Sequence, residues 1–244
     1  TNALEIYERL AITNPATYET NLSAIQNNVG NLYRAKNDYP AALKAYTKAL
    51  EIRERLAKTN PATYEPGVAD TQINLGNWYL AKNDYPAALK AYTNALEIYE
   101  RLAITNPAAY EPDVALTQSN FGLLYVDKND YPAALKAYTK ALEIEERLAI
   151  TNPATYEPGV AITQYNLGGL YRKKNDYPAA LKAYTNALEI YERLAITNPA
   201  TYEPDVARTQ SNLGVLYRNK NDYPAALKAY TKALEIRERL AITN

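Results

Sequence analysis

The chain has 244 residues, 47% of them apolar, with 27 basic and 27 acidic side chains and a formal net charge of zero. That balance argues against nucleic acid, whose binders carry a basic stripe that displaces phosphate counterions. Cys, His and Met are absent, which removes disulfides, thiol nucleophiles and the common zinc and transition-metal ligand sets, so no metal or cofactor is expected.

No apolar run is long enough to cross a membrane and no signal peptide is visible, so a cytoplasmic location without membrane attachment is the expectation. The chain does not begin with Met, so its first residue is expected to follow a processing or excision step.

The segment Asn-Asp-Tyr-Pro-Ala-Ala-Leu-Lys-Ala-Tyr-Thr occurs five times, starting at Asn37, Asn83, Asn129, Asn175 and Asn221, at a spacing of 46 residues. A fixed period of this size marks a solenoid whose units bury their apolar faces against their neighbours. The chain therefore reads as one elongated domain, residues 1–244, with no composition shift that would mark a linker. Residues 1–14 form a lone helix, expected over Leu4 to Ile12, that matches Thr231–Asn244 except at residues 2 and 7. Repeats follow at 15–60, 61–106, 107–152, 153–198 and 199–244. Across the last four, 35 of 46 columns are identical, as recent duplication or deliberate design would leave them.

The unit Pro61 to Asn106 shows the pattern. Val68, Gln72, Leu75, Gly76 and Tyr79 recur at three- and four-residue spacings, which predicts an amphipathic helix A over Val68 to Lys82, preceded by Glu65-Pro66, a proline suited to a helix start. Asn83-Asp84 ends it, because Asn tolerates a left-handed conformation and Asp caps the next helix. Helix B starts at Tyr85-Pro86 and carries Ala88, Leu89, Ala91, Tyr92, Ala95, Leu96, Ile98, Leu102 and Ile104. Thr105-Asn106-Pro107 stops it, since the residue before Pro disfavours helical backbone. Gly76, Ala88 and Ala95 supply close approach, and Leu75, Tyr79, Tyr85, Tyr92 and Leu96 fill the space between. The many Tyr residues repeat in fixed columns and so track packing.

These residues resemble the tetratricopeptide repeat: Leu75-Gly76 and Tyr79 on helix A, then Ala88, Tyr92 and Ala95 on helix B, at the family's spacing in all five units. Phe121 and Val29 are the only substitutions at the Leu. Gln72 stands where the family usually has a large aromatic. Helix B runs past Ala95-Leu96-Glu97-Ile98 to Thr105, similar to the long repeats of kinesin light chains. The resemblance implies an all-α, right-handed superhelical solenoid whose inner surface is lined by A helices, and a role in holding peptides or partner proteins.

Six columns of the four full repeats carry three or more residue types, and five of them lie on helix A. They are Asp70/Leu116/Ile162/Arg208, Ile73/Ser119/Tyr165/Ser211, Asn77/Leu123/Gly169/Val215, Leu80/Val126/Arg172/Arg218 and Ala81/Asp127/Lys173/Asn219, with Ala24, Asn27, Asn31, Arg34 and Ala35 in repeat 1. Their spacing is one face of one helix. Two readings stand side by side. Exposed positions drift when nothing constrains them; alternatively, this face is a ligand groove tuned unit by unit. Lys90, Glu97, Glu100 and Arg101 are frozen on helix B, which favours the second. Only Arg53/Tyr99/Glu145/Tyr191/Arg237 varies strongly there. Beside the varied face runs an invariant row, Asn28, Asn74, Asn120, Asn166 and Asn212. It can pair with the backbone of an extended peptide, as the related repeats imply, or bond locally to its own scaffold.

Within this candidate groove Arg34 opposes Asp70 and Asp127 in the first three repeats, and Arg172, Lys173, Arg208 and Arg218 gather in the last two. Ile73, Leu80, Leu116, Leu123, Val126, Ile162 and Tyr165 make its centre apolar, with Asn31 and Asn77 among them. Such a surface suits a protein segment that is apolar with acidic residues toward the C-terminal repeats. No enzyme is expected: Ser23, Ser119 and Ser211 have no base, Gly168-Gly169 lies within a helix, and the repeated Glu97 and Glu100 read as a salt-bridged face, Glu97 with Arg101 at i and i+4. The alternative to a binding module is an inert modular scaffold. The terminal helices carry interior-type apolar residues, Leu234, Ile236, Leu240 and Ile242 at one end, so end-to-end self-association is a further expectation.

Overall fold

The computed structural model describes residues 2–243. Its described residues form eleven α-helices and no strand: α1 (Asn2–Thr13), α2 (Pro15–Ala35), α3 (Tyr39–Thr59), α4 (Pro61–Ala81), α5 (Tyr85–Thr105), α6 (Pro107–Asp127), α7 (Tyr131–Thr151), α8 (Pro153–Lys173), α9 (Tyr177–Thr197), α10 (Pro199–Asn219) and α11 (Tyr223–Thr243). The fold is the all-α solenoid class. Even-numbered helices are A helices and odd-numbered ones are B helices. The helices gather into two compact units, Thr1–Asn120 and Phe121–Asn244. In unit 1, α3 packs on both α2 and α4; in unit 2, α8 packs on α7 and α9, and α9 on α10.

Helix A starts earlier than its sequence pattern suggests. The Asn60-Pro61-Ala-Thr-Tyr-Glu connector is its first turn and a half. Asn60 caps it by accepting from the Thr63 N–H at 3.3 Å, and Pro61 sits where no N–H is required. Pro66 lies inside the helix. It forfeits only the bond to the Ala62 carbonyl, a small loss this close to a capped end. Repeat 1 carries Thr20 in that column, and α2 has the same length without a proline there.

The A-to-B turn follows from two residues. Asn37, Asn83, Asn129, Asn175 and Asn221 all take positive φ, between 58° and 60°. With Asn83 left-handed, its N–H reaches the Leu80 carbonyl and the Asp84 N–H reaches the Tyr79 carbonyl, both at 2.9 Å, which closes the helix end. Asp84 then accepts from the Ala87 N–H at 3.2 Å and opens α5.

The core is aromatic rings seated on glycines. Tyr46, Tyr92, Tyr138 and Tyr184 are fully buried. A Cβ on Gly168 would stand 2.6 Å from Cδ1 of Tyr184, so only glycine admits the ring. In unit 2, Tyr184 clusters with Ala180, Leu213, Leu216 and Ala229; in unit 1, Tyr46 clusters with Ala42, Leu75 and Ala91.

One expected ion pair is replaced. Arg101 reaches Glu65 of α4 at 2.7 Å and not Glu97 on its own helix. The same pairing links Arg55 to Glu19, Arg193 to Glu157 and Arg239 to Glu203 at 2.6–2.8 Å. The carboxylates are sheltered in the A–B crevice, which makes the cross-helix partner the better one. No described helix is long and apolar enough to cross a membrane, and no described group of three or more His, Cys, Asp or Glu could hold a metal ion.

Candidate functional site

The two units treat the varied face differently. In unit 1 the predicted residues are largely satisfied by their own scaffold. The buried Tyr46 hydroxyl donates to Asn31 Oδ1, and that of Tyr92 to Asn77 Oδ1, both at 2.7 Å. Asn74 Nδ2 donates to Asn27 Oδ1 of the preceding repeat at 3.1 Å. Asp70 accepts from the Tyr99 hydroxyl at 2.5 Å. Ile73 is buried at 8% exposure and forms floor rather than lining. Asn28 and Arg34 are exposed, Asn120 and Leu80 half-buried, and Leu116 is half-exposed. Burial raises the Tyr46 phenol above its ordinary range, and the Arg34 charge beside it pulls it back.

In unit 2 the column that held Asn31 and Asn77 holds Leu123, Gly169 and Val215. None of these can accept from the buried tyrosine. A cleft of about 180 Å³ opens there. Leu123 and Val126 form its apolar wall, and Asn166, Asn212, Tyr165, Arg172 and Lys173 its polar one, with Tyr138, Gly169, Leu170 and Tyr184 beneath. A Cβ on Gly169 would meet only the Tyr184 hydroxyl, at 3.6 Å, so the glycine leaves room beside that hydroxyl, whose partner is the Arg172 side chain. Burial raises the Tyr184 phenol, and the adjacent Arg172 guanidinium opposes the shift. Arg172 Nε is sealed from bulk solvent and has no hydrogen-bond partner among the described residues. A donor left in that state costs free energy until an acceptor arrives.

The other predicted cations behave unequally. Arg208 stacks 4.3 Å from the centre of the Tyr165 ring and pairs with Asp205 at 2.8 Å, so part of its charge is already answered. Asn212 Nδ2 donates to the Tyr165 hydroxyl at 2.5 Å, fixing that ring at the cleft edge. Lys173, Arg218 and Asp127 are exposed, and Ile162 is 47% exposed. Seven predicted residues thus line one cleft: Leu123, Val126, Tyr165, Asn166, Arg172, Lys173 and Asn212. Arg208 and Arg218 are not among its lining residues, and the unit 1 residues lie in the other compact unit.

The varied position on helix B has its own setting, which the sequence pattern alone left without a role. Arg53, Tyr99, Glu145 and Tyr191 are not solvent-facing. Tyr99 and Tyr191 are 1% exposed. Arg53 of α3 donates to the Gly67 carbonyl at 2.6 Å and Thr71 Oγ1 at 2.7 Å, both on α4. These residues seal one repeat against the next.

The sequence pattern of the tetratricopeptide repeat matches residues 22–101, 113–193 and 160–239, and the chain belongs to that family. No curated protein matches it by sequence. Among solved structures it is similar to BtubC (BKLC) of P. vanneervenii, with 24% identity and a TM-score of 0.78 over 98% of this chain and 89% of that one. It is also similar to a Rap protein complexed with competence and sporulation factor, with 16% identity and a TM-score of 0.70 over 98% of this chain and 59% of that one. A putative kinesin light chain of Podospora anserina with nearly identical TPR-like repeats matches at 13% identity and a TM-score of 0.60, over 91% of this chain and 98% of that one. At these identities the likeness is one of fold.

Proposed function

We propose that the chain is a non-enzymatic binding module for a protein or peptide segment, and that the unit 2 cleft is its anchoring point. The observation that carries this is the cleft itself: an apolar wall beside a sealed arginine donor with no acceptor. An apolar side chain of the ligand sits on Leu123 and Val126. An acidic group next to it is held by Arg172 and Lys173. Asn166, and Asn212 through the amide capacity its bond to Tyr165 leaves over, pair with the ligand backbone. Membership of a family of interaction repeats supports the class of function.

The test is fluorescence anisotropy against a library of short peptides combining apolar and acidic residues. Arg172→Glu should weaken the selected peptide about tenfold to a hundredfold, the range for losing a charge-assisted hydrogen bond in a sheltered site. Gly169→Asn should refill the cleft, restore the bond that Asn31 and Asn77 make, and abolish binding while raising stability. Equal weakening by Lys182→Glu, on the opposite helix, would reduce the effect to general electrostatics and overturn the assignment. An inert scaffold remains the second reading for unit 1, where Asn31, Asp70, Asn74 and Asn77 are already bonded to their own fold.

The proposal includes self-association through α11. Leu227 and Leu234 there are 68% and 55% exposed. Leu181 and Leu188, at the same positions of α9, are half-buried against the unit 2 core. A two-fold dimer through like helices covers such a surface. Light scattering across a wide concentration range that finds only monomer would end this part of the reading.

A further inference from the structure

Three positions of the 46-residue unit, counted from its first proline, do not vary at random; they alternate. Position 7 reads Gly67, Asp113, Gly159, Asp205. Position 34 reads Lys48, Asn94, Lys140, Asn186, Lys232, and position 39 reads Arg53, Tyr99, Glu145, Tyr191, Arg237. As a result Thr93–Asn106 is identical to Thr185–Asn198, two repeats away, but not to the equivalent segment of the neighbouring repeat. Drift has no reason to keep a two-repeat rhythm at three separated positions.

For positions 39 and 7 the structure supplies the reason. Position 39 of one helix B lies against position 7 of the next helix A. Where position 39 is a long flexible chain, it runs along the helix A backbone and position 7 is glycine. Arg53 donates into the Gly67 carbonyl at 2.6 Å, and a Cβ on Gly67 would stand 3.2 Å from Arg53 Nε. Glu145 takes the same path, and a Cβ on Gly159 would stand 3.2 Å from its Oε1. Where position 39 is tyrosine, the flat ring packs sideways on the tyrosine at position 4 of the next helix. Tyr7 meets Tyr18 edge-on with centroids 6.2 Å apart, and Tyr99 meets Tyr110 at 6.3 Å. Tyr191 shares its cluster with Tyr202. With tyrosine at position 39, position 7 carries a polar side chain: Asn21, Asp113 or Asp205.

We infer that positions 39 and 7 form a two-type junction code that fixes which helix B stacks on which helix A. An extended chain runs close against glycine, where a Cβ would make it give way, and tyrosine is matched with Asp or Asn. The recognition surface is thus the repeat–repeat interface, its partner a second repeat of the matching type, and the stacking module a pair of repeats 92 residues long, twice the 46-residue unit. A mismatch places a side chain into the space that an extended partner occupies, or places two carboxylates together.

The code is testable in the full chain at the α7–α8 junction. Gly159→Asp puts a carboxylate against Glu145, and Gly159→Asn adds the bulk without the charge. Each should lower the melting temperature of the full chain by about 4 °C or more. Glu145→Tyr alone should cost little. Combined with either Gly159 variant it should recover more than half of the loss, because the pair then matches Tyr99–Asp113 or Tyr7–Asn21. A double variant no better than the sum of its singles, in a thermal-melt double-mutant cycle, overturns the code. Should Gly159→Asp fail to fold, the Asn pair carries the same test.

Discussion

The two compact units have the same kind of core, each its own, and differ on one face. Under that face, in both, a buried tyrosine ring rests on a glycine: Tyr46 and Tyr92 in unit 1, Tyr138 and Tyr184 in unit 2. The difference is one column above the ring. Asn31 and Asn77 accept the tyrosine hydroxyls in unit 1. Leu123 and Gly169 cannot, and unit 2 has the Arg172 cleft instead. A polar bond spent inside the scaffold closes the surface, and its loss opens one. Changing a residue that touches a buried hydroxyl therefore creates a site without disturbing the fold, because the ring is still held by packing.

Gly168→Ala should have the largest effect. It places a methyl 2.6 Å from Cδ1 of the buried Tyr184 ring, so the ring must shift, and should cost about 1–3 kcal/mol in urea denaturation. Gly30→Ala should do the same in unit 1, since a Cβ there would stand 2.5 Å from Tyr46 Cε1. A large cost in one unit and none in the other would show that the two cores are not equivalent.

Asn77→Leu should be next, at about 1 kcal/mol or more, because it leaves the Tyr92 hydroxyl buried without its acceptor. It also copies Leu123 into unit 1. Two-dimensional NMR with a bound peptide would show whether unit 1 then gains affinity, which the comparison predicts if the missing acceptor is what opens the face.

The pH response should be smaller and should reach higher pH in unit 2. Burial pushes Glu145 up to about 7, with Glu146 raising it further and a Thr163 hydrogen bond opposing. In unit 1, burial and the nearby Asp70 push Asp113 up to about 6. A carboxyl whose folded value is raised binds its proton more tightly when folded. Its contribution is present below the ordinary carboxylate value and is lost as pH rises through the folded value. Unit 1 should therefore lose stability up to about pH 6 and unit 2 up to about pH 7. Hydrogen exchange read separately for α4 and α8 at pH 5 and pH 8 checks this. Glu145→Gln should flatten the unit 2 response between about pH 5 and 7 and leave unit 1 unchanged.

Much of the local structure was readable because it depends on near neighbours. Asn83 at positive φ, Asp84 as a cap and the stop at Asn106-Pro107 are decided within a few residues. Helix A starts at Pro61, upstream of the expected Val68, because Pro66 reads as a first-turn proline while Asn60 and Pro61 supply an equally good start before it. Repeat 1 held the clue: Thr20 replaces that proline with no change in helix length. Among site residues, the cleft residues Arg172, Asn166, Leu123 and Val126 were visible as one varied or invariant helix face. That Asp70, Asn74 and Arg208 meet Tyr99, Asn27 and the Tyr165 ring was not, since those partners come from other helices; only the Asp205–Arg208 pair, at i and i+3 on α10, lies within one helix.

The sequence by itself determined the period, the helical hairpin, the turn chemistry and which face of helix A varies. Each of these follows from propensity, spacing and repetition, which act along the chain. Only the tertiary structure decided which varied positions are open and which are closed. That choice depends on whether a side chain from a different helix arrives to satisfy a buried polar group, as Tyr92 does for Asn77 and as nothing does for Arg172 Nε. It also decided the role of Arg53, Tyr99, Glu145 and Tyr191, whose alternation is written in the sequence but acquires meaning only where one repeat's helix B meets the next repeat's helix A.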